Sequence, residues 1–183
     1  MNGAAISSLA RGAIMITWCG LTARSTRTPR RLAWFTRRHF RMQFRFATPT
    51  DAALLAPLNR QLIRDEGHRN AMNLAQLTER MSAWLCSEYQ AVVFEEGASP
   101  IGYALFRRES EHVYLRQLFV LPELLRKGVA RAALRWLWRH AWPDTQRLRI
   151  EVLVENAAGR EFWRAMGFRE YCVTMEAQLP NDG

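Results

Sequence analysis

Acidic residues are missing from the first 50 positions, which carry nine arginines, and lysine is nearly missing from the whole chain, with Lys127 the single one among 26 cations. From residue 51 onward the chain has 17 basic and 17 acidic residues, so the net charge of +9 lies entirely in the first 50. A domain neutral in sum does not indicate a broad nucleic-acid-binding face, whose footprint is clustered positive charge. Long apolar runs are missing too. The longest uncharged stretch, residues 12 to 23, has 12 residues, short of the roughly 20 that cross a bilayer as a helix, so no membrane partner is expected. Cysteine is scarce and odd in number. Cys19, Cys86 and Cys172 form no CxxC pair and keep no ligand-like spacing to His39, His68, His112 or His140, which argues against a metal site. Such usage fits a reduced, cytoplasmic setting, with Cys86 and Cys172 expected as small core residues.

Residues 1–41 read as a basic, disordered N-terminal extension. The uncharged stretch after Arg11 has the form of a secretory apolar region, and the arginine-rich, acid-free remainder has that of a transit peptide or of an arm for an anionic surface. The blandest reading, an unstructured extension ahead of a domain that starts at Met42, is adopted. Residues 42–183 then form one domain, and 49% apolar residues over the chain are ample for a core.

Met42 to Ala47 alternates as a short strand. Thr50 and Asp51 read as the cap of a helix with Leu54, Leu55, Leu58 and Leu62 on one stripe, interrupted or restarted at Pro57 and ended by Gly67. A polar linker, Gly67-His68-Arg69-Asn70, leads to a second helix after Asn73, with Leu74, Leu77, Met81 and Leu85 on one side. Gln90 to Phe94 and Ile101 to Phe106 read as a hairpin. No internal repeat or low-complexity stretch interrupts the domain.

The chain is organised around Val113 to Trp142. Eight residues rich in β-branched and aromatic types, Val113 to Val120, form a strand stopped by Pro122. After Gly128, apolar residues at Val129, Ala132, Ala133, Trp136 and Leu137 follow a helical spacing up to Pro143. The helix start coincides with a glycine, where a ligand can approach the backbone closely. Free N–H groups, the helix dipole and the cations Arg126, Lys127 and Arg131 together favour a phosphate. Downstream, Leu148 to Val154 reads as a parallel strand reached by a right-handed crossover, and Asn156 caps a further helix. A last strand spans Glu170 to Ala177. Of the tryptophans on the central helix only Trp136 falls on its apolar stripe, so an exposed Trp138 or Trp142 would mark a self-association surface and a homodimer.

Two stretches, Leu125-Arg126-Lys127-Gly128-Val129-Ala130 and Asn156-Ala157-Ala158-Gly159-Arg160-Glu161-Phe162-Trp163-Arg164-Ala165-Met166-Gly167-Phe168, resemble the GNAT superfamily of acetyl-CoA-dependent N-acetyltransferases. The first is similar to its pyrophosphate motif, Gln/Arg-x-x-Gly-x-Gly/Ala, and the second to its Asn-x-x-Ala-x-x-Phe-Tyr-x-x-x-Gly-Phe helix. The resemblance covers Met42 to Leu179. Leu125 stands where the family has Gln or Arg, and Trp163 where many members have tyrosine. The implied fold is α/β (α+β): a mixed, mainly antiparallel sheet of about six to seven strands, flanked by about four helices, with splayed central parallel strands. The implied cosubstrate is acetyl-CoA, without a metal. Its pyrophosphate is expected on the N–H groups of Arg126, Lys127, Gly128, Val129, Ala130 and Arg131, and its pantetheine arm along the backbone of Leu118, Phe119 and Val120. Asn156 is a further cofactor contact or a plain helix cap.

The resemblance also places Glu151 at the position of a glutamate that serves as base in several members; pairing with Arg149 or Arg116 is the competing structural role. With Trp163 in place of tyrosine, Tyr171, Tyr114 or water is left to protonate the thiolate. Asp65, Glu66, His68, Tyr103, Tyr114 and Arg116 are candidate acceptor contacts. The implied activity is acetyl transfer to a primary amine of a small molecule or peptide, with no nucleic acid as partner; a catalytically inactive acetyl-CoA-binding sensor or scaffold is the alternative.

Overall fold

The computed structural model of the protein describes residues 41–177. The basic extension up to residue 40, with Cys19 and His39, lies outside the described residues, as does Leu179 at the end of the resembling segment. Strands β1 (Met42–Phe46), β2 (Tyr89–Glu96), β3 (Ser99–Arg108), β4 (Val113–Val120) and β5 (Leu148–Arg149) lie side by side in chain order. The first four pair antiparallel and β4 pairs with β5 in parallel. Helices are α1 (Ala52–Asp65), α2 (Leu74–Leu85), α3 (Val129–His140) and α4 (Ala157–Ala165), with short 3-10 turns at Pro49–Asp51 and Pro122–Leu124. This is the expected mixed α+β fold, with five strands rather than six to seven.

The shortfall has a local cause. Leu148 to Val154 reads as one strand, yet its ladder to β4 ends after Leu148 and Arg149. With β5 so short, Glu170 to Ala177 has no edge to pair with. It forms no strand, and its alternating Tyr171, Val173 and Met175 are 80%, 79% and 89% exposed. Alternation alone cannot make a strand without a ladder to satisfy its backbone.

Two apolar layers sandwich the sheet. On one face Val92, Phe94, Phe106, Val113, Leu115, Leu118 and Val120 pack with α3 and Trp163 of α4. On the other, Val93, Tyr103, Leu105, Tyr114 and Phe119 pack with Leu55 and Leu62 of α1 and Met81 and Trp84 of α2. In β4 the residues facing α3 switch from odd to even numbers, which strict alternation forbids. The register explains it: Leu105 stands opposite Gln117, while its neighbour Phe106 stands opposite Leu115, so Arg116 is an extra residue in a β-bulge.

Several expectations shift here. The buried stripe of α3 is Val129, Ala130, Ala133, Leu134 and Leu137, rotated from the predicted one, with Ala132 exposed and Trp136 half-buried. Trp142, beyond the helix, is fully buried edge-on against Phe106 at 5.1 Å, so it marks no self-association surface. Trp138 is half-buried against the core. Cys86, at the end of α2, and Cys172, in the exposed C-terminal stretch, are both exposed rather than core residues. Pro57 lies inside an unbroken α1. The capping interactions before α1 come from Thr48 and Asp51 rather than from Thr50, whose hydroxyl only shares a hydrogen bond with that of Thr48.

Candidate active site

β4 carries the site because its two edges are used differently. Towards β3 it is paired along its length; towards β5 it is paired only at Val113 and Tyr114, and no backbone hydrogen bond from residues 150–153 reaches it. The parallel strands therefore part after their first two residues. Leu121 N–H donates to the Ile101 carbonyl at 2.9 Å, and alternation then directs the backbone of Phe119 towards β3 and that of Leu118 and Val120 towards the gap. Leu118 and Val120 are 0% and 1% exposed. Buried backbone groups are nearly always paired, so this edge is suited to an extended ligand with amides of its own. Gly102 keeps the other edge tight: a Cβ there would meet the Phe119 carbonyl oxygen.

From Val120 the chain passes through Pro122–Leu124 into the basic turn. Arg126 has φ +61° and Gly128 φ +81°, both left-handed, which curls the backbone ahead of α3. Gly128 is the N-cap and no side chain caps this helix. The Val129, Ala130 and Arg131 amides, without intrahelical partners at a helix start, therefore open the helix with its positive dipole end uncovered. A Cβ on Gly128 would meet nothing within 4 Å, so the approach to these donors is open. Beside the turn, a cavity of about 610 Å³ between β1 and α3 is lined by Arg41, Lys127, Arg135, Arg139 and His140, with no acid. Its floor includes Phe44 and Trp136, stacked at 4.6 Å. Of the residues expected to hold phosphate, Lys127, Gly128 and Val129 line this cavity, and the turn that carries them follows the end of β4 with Leu118 and Val120.

Across the gap, Asn156 caps α4: its Oδ1 accepts from Gly159 N–H at 2.8 Å, while its buried Nδ2 has no partner. A Cβ at Gly159 would meet the Asn156 carboxamide, which would have to shift to admit it. Trp163 is 2% exposed, wedged between Phe162 and Phe168, with its Nε1 buried and unpartnered. It is a core side chain of the α3 face. Glu151 lies just past β5 in irregular chain rather than on a strand, and accepts a hydrogen bond from the Tyr114 hydroxyl. Burial, then the Glu151 charge, pushes the Tyr114 hydroxyl well above the usual phenol range, so Tyr114 stays a protonated donor. Arg149 lies over the Tyr171 ring at 5.0 Å.

On that same face, under the loop between α1 and α2, lies a polar cluster that the sequence reading met only in part. Gly67, at φ +64°, ends α1 in a 6→1 turn, with His68 N–H donating to the Ile63 carbonyl at 3.1 Å. This turn directs Glu66 and His68 back to the sheet. Glu66 Oε1 and His68 Nδ1 are buried without partners. Burial, assisted by Asp65, pushes the Glu66 carboxyl up to about 8; burial and the charges of Arg80 and Arg116 hold His68 below the usual imidazole range. Tyr103, fully buried, donates to Gln117 Oε1 at 2.9 Å, and Arg80 donates to Asn59 Oδ1 at 2.8 Å. Arg116, the bulge residue, reaches the Tyr89 hydroxyl at 3.2 Å. Its guanidinium and that of Arg80 lie over the Trp84 ring at 4.7 Å and 4.6 Å.

Asn59, Arg80, Trp84 and Gln117 were not anticipated. The signal for two of them was present: Asn59 shares the buried face of α1 with Leu55 and Leu62, and Gln117 interrupts an apolar strand. Asp65, by contrast, is exposed. No group of three or more His, Cys, Asp or Glu among the described residues could hold a metal ion.

Comparison with known proteins agrees with this fold. No curated sequence matches the chain significantly. Among solved structures, a possible acetyltransferase from Clostridium difficile 630 superposes with a TM-score of 0.64 at 16% identity, covering 76% of this chain and 97% of its own. Aminoglycoside N-acetyltransferase AAC(6')-Iy in complex with CoA gives 0.64 at 18% identity, covering 79% and 99%. A predicted acetyltransferase with acetyl-CoA from Clostridium acetobutylicum gives 0.60 at 19%, covering 75% and 96%. At such identities these likenesses speak for the fold. Residues 59–168, more than half of the chain, match the acetyltransferase (GNAT) family, and the protein belongs to that family.

Proposed function

We propose that the protein transfers an acetyl group from acetyl-CoA to a primary amine. The observation that carries this reading is the buried, unpaired edge of β4 leading directly to an uncapped, basic helix start: one row of backbone donors and acceptors for an amide-bearing arm, then a cradle for two phosphates. When bound, acetyl-CoA supplies the acetyl group as a thioester. Leu118 and Val120 would hold the pantetheine amides through their backbone, with Phe119 fixing the strand against β3. The N–H groups from Arg126 to Arg131 would hold the pyrophosphate, with Lys127 neutralising charge, and the unpartnered Nδ2 of Asn156 offers one more donor.

The acceptor would lie on the α1 and α2 side of the sheet, which carries the Tyr114–Glu151 pair and, under the loop between α1 and α2, Glu66. An ammonium must lose a proton before its nitrogen attacks. Glu151, oriented by Tyr114, is the proposed proton acceptor, and Glu66, titrating near 8, is a second carboxyl matched to the same task. The amine nitrogen gains a bond to the acetyl carbon as the carbon–sulfur bond breaks. Of the two protons that the ammonium gives up, one ends on the departing thiolate and one in solvent. Trp163 takes no part, since indole N–H is no acid in this range. The cytoplasm belongs to this reading as the place where acetyl-CoA is at hand; no helix among the described residues is long and apolar enough to cross a membrane.

Thermal stabilisation by acetyl-CoA tests the reading. A ligand at 100 times its dissociation constant adds about 2.7 kcal/mol to folding stability. A clear upward shift in Tm is expected with acetyl-CoA and not with sulfate at the same concentration. An unchanged Tm at millimolar acetyl-CoA refutes the assignment.

A further inference from the structure

From residue 51 onward the chain is neutral in sum, but its charges are segregated. The stretch Leu124 to Pro143 holds five lysine and arginine residues and no acid. Three of them, Arg131, Arg135 and Arg139, recur every fourth residue along α3 and share its exposed face, about 6 Å apart along the axis. Like charges at this spacing repel. Arg139 and His140 suit the negative end of the helix, whereas Arg131, in its first turn, stands against the positive end. No acid balances the row. Among the described residues none of Arg41, Lys127, Arg135 and Arg139, the cations that line the cavity between β1 and α3, makes a salt bridge. Asp51 and Glu95 both hold Arg45 instead. Glu96, opposite Met42 in the ladder, neither lines the cavity nor pairs with these cations.

Aromatic rings follow the same track. Trp136 stacks with Phe44 at 4.6 Å and with His140 at 4.7 Å, and Phe46, 48% exposed, lies tilted beside it at 6.4 Å. A positive groove interleaved with rings suits single-stranded nucleic acid, whose phosphates follow the cations while its unpaired bases lie on ring faces. The partner has to be long as well as anionic, because the positive charge continues past the helix. It reaches Arg41, and residues 1–40 ahead of it carry seven more arginines, again without an acid. A duplex keeps its bases stacked away from the rings, a lipid surface is flat where this track is recessed, and a short acidic peptide would leave most of the charge unmatched. We propose that the groove between β1 and α3 binds single-stranded nucleic acid, with phosphates on Arg41, Arg135 and Arg139 and a base against Phe46. The inference goes beyond acetyl transfer and does not rest on it. The groove lies at the β1 edge of the sheet and the gap proposed for the thioester arm at the β5 edge, with Lys127 to Val129 common to both.

The experiment titrates the full-length protein into fluorescein-labelled single-stranded RNA and DNA and into the matching duplexes. Anisotropy is followed over a series of sodium chloride concentrations, with polyglutamate and phosphatidylserine vesicles as competitors. Single strands should bind more tightly than duplexes, with an affinity that falls as salt rises. Replacing both Arg135→Gln and Arg139→Gln should reduce the slope of log affinity on log salt by about 0.7 for each arginine, the counterion release of one single-strand phosphate. Phe46→Ala should weaken binding about fivefold or more and leave the slope unchanged, the value of one stacked base. All three side chains are exposed, an unchanged Tm certifies that the variants fold, and the wild-type ranking of partners stands without them. Absence of single-strand binding at low salt overturns the inference, and so do duplexes, polyglutamate or vesicles bound as tightly as single strands. An unchanged slope in the double variant overturns it too, since residues 1–40 would then carry the affinity alone. Thermal stabilisation by acetyl-CoA is read separately, so failure here leaves the acetyl-transfer reading standing.

Discussion

Replacing Glu66 by glutamine removes one titrating group from the floor of the cleft and keeps its size and shape. In the folded protein this carboxyl is pushed from 4.5 up to about 8, first by burial and then by the neighbouring Asp65. Its Oε1 is enclosed with no hydrogen-bond partner. The folded state thus binds the proton more tightly than the unfolded chain. Stability from this source is fully present below pH 4.5, is lost as pH rises through the window from 4.5 to about 8, and falls no further above it. Each pKa unit corresponds to about 1.4 kcal/mol, so the displacement amounts to about 5 kcal/mol across that window. Urea denaturation of the wild type and Glu66→Gln at half-unit steps from pH 5 to 9 measures it. The two proteins should have similar stability near pH 5 and diverge steadily, with glutamine the more stable at pH 8.5. Taking the difference cancels the other carboxylates and the neutral His68. Parallel curves would show that Glu66 ionises at its ordinary pKa, in contact with water, and would remove it from any proton transfer near neutral pH.

Three further outcomes follow from the site. Glu151→Gln should lower kcat about tenfold or more and abolish the acidic limb of its pH profile, with acetyl-CoA affinity unchanged; full rate across the range would assign the proton to Glu66 or to water. Gly128→Glu should cost about 1–2 kcal/mol in denaturation experiments, because φ +81° suits only glycine, and should weaken acetyl-CoA more than tenfold by calorimetry; unaltered affinity would place the phosphates elsewhere. Trp163→Phe should keep most of kcat and lose about 1–3 kcal/mol of stability from the space vacated in the α3 layer, whereas a large drop in kcat at constant stability would give the indole a chemical role.

Much of the fold was legible because its signals are local. Asn73 ahead of the second helix, the glycine at 67 and the hairpin at Gly97 each specify a turn within four or five residues, and their elements appear where expected. The basic turn was legible for the same reason. Where the reading failed, the deciding partner was distant. Alternation in Leu148 to Val154 and in Glu170 to Ala177 announced strands, but a strand exists only with a ladder beside it, and that ladder stops at Arg149. The helix stripe of α3 was rotated because Ala130 and Ala132 are indistinguishable in composition and only the sheet beneath decides which is covered. In the cleft, Glu66, His68, Tyr103 and Arg116 were named, whereas Arg80 and Trp84 look like ordinary residues of an exposed helix. Their role arises from the convergence of α2 with β4, across more than 30 residues of chain.

The extra residue at Arg116 has a bearing on how this sequence can vary over time. Most surface and core positions tolerate a change of identity in proportion to the change in size or polarity. The length of β4 admits no such gradation. Removing one residue between Leu115 and Gln117 would restore strict alternation and turn the rest of the strand over as a unit: the Phe119 ring would swing into the α3 layer, Leu118 and Val120 would point to α1 and α2, and their backbone groups would turn from the gap to β3. Substitutions along the strand can accumulate one at a time, but an insertion or deletion there is all-or-none. Drift in this segment is therefore constrained in residue count far more than in residue type.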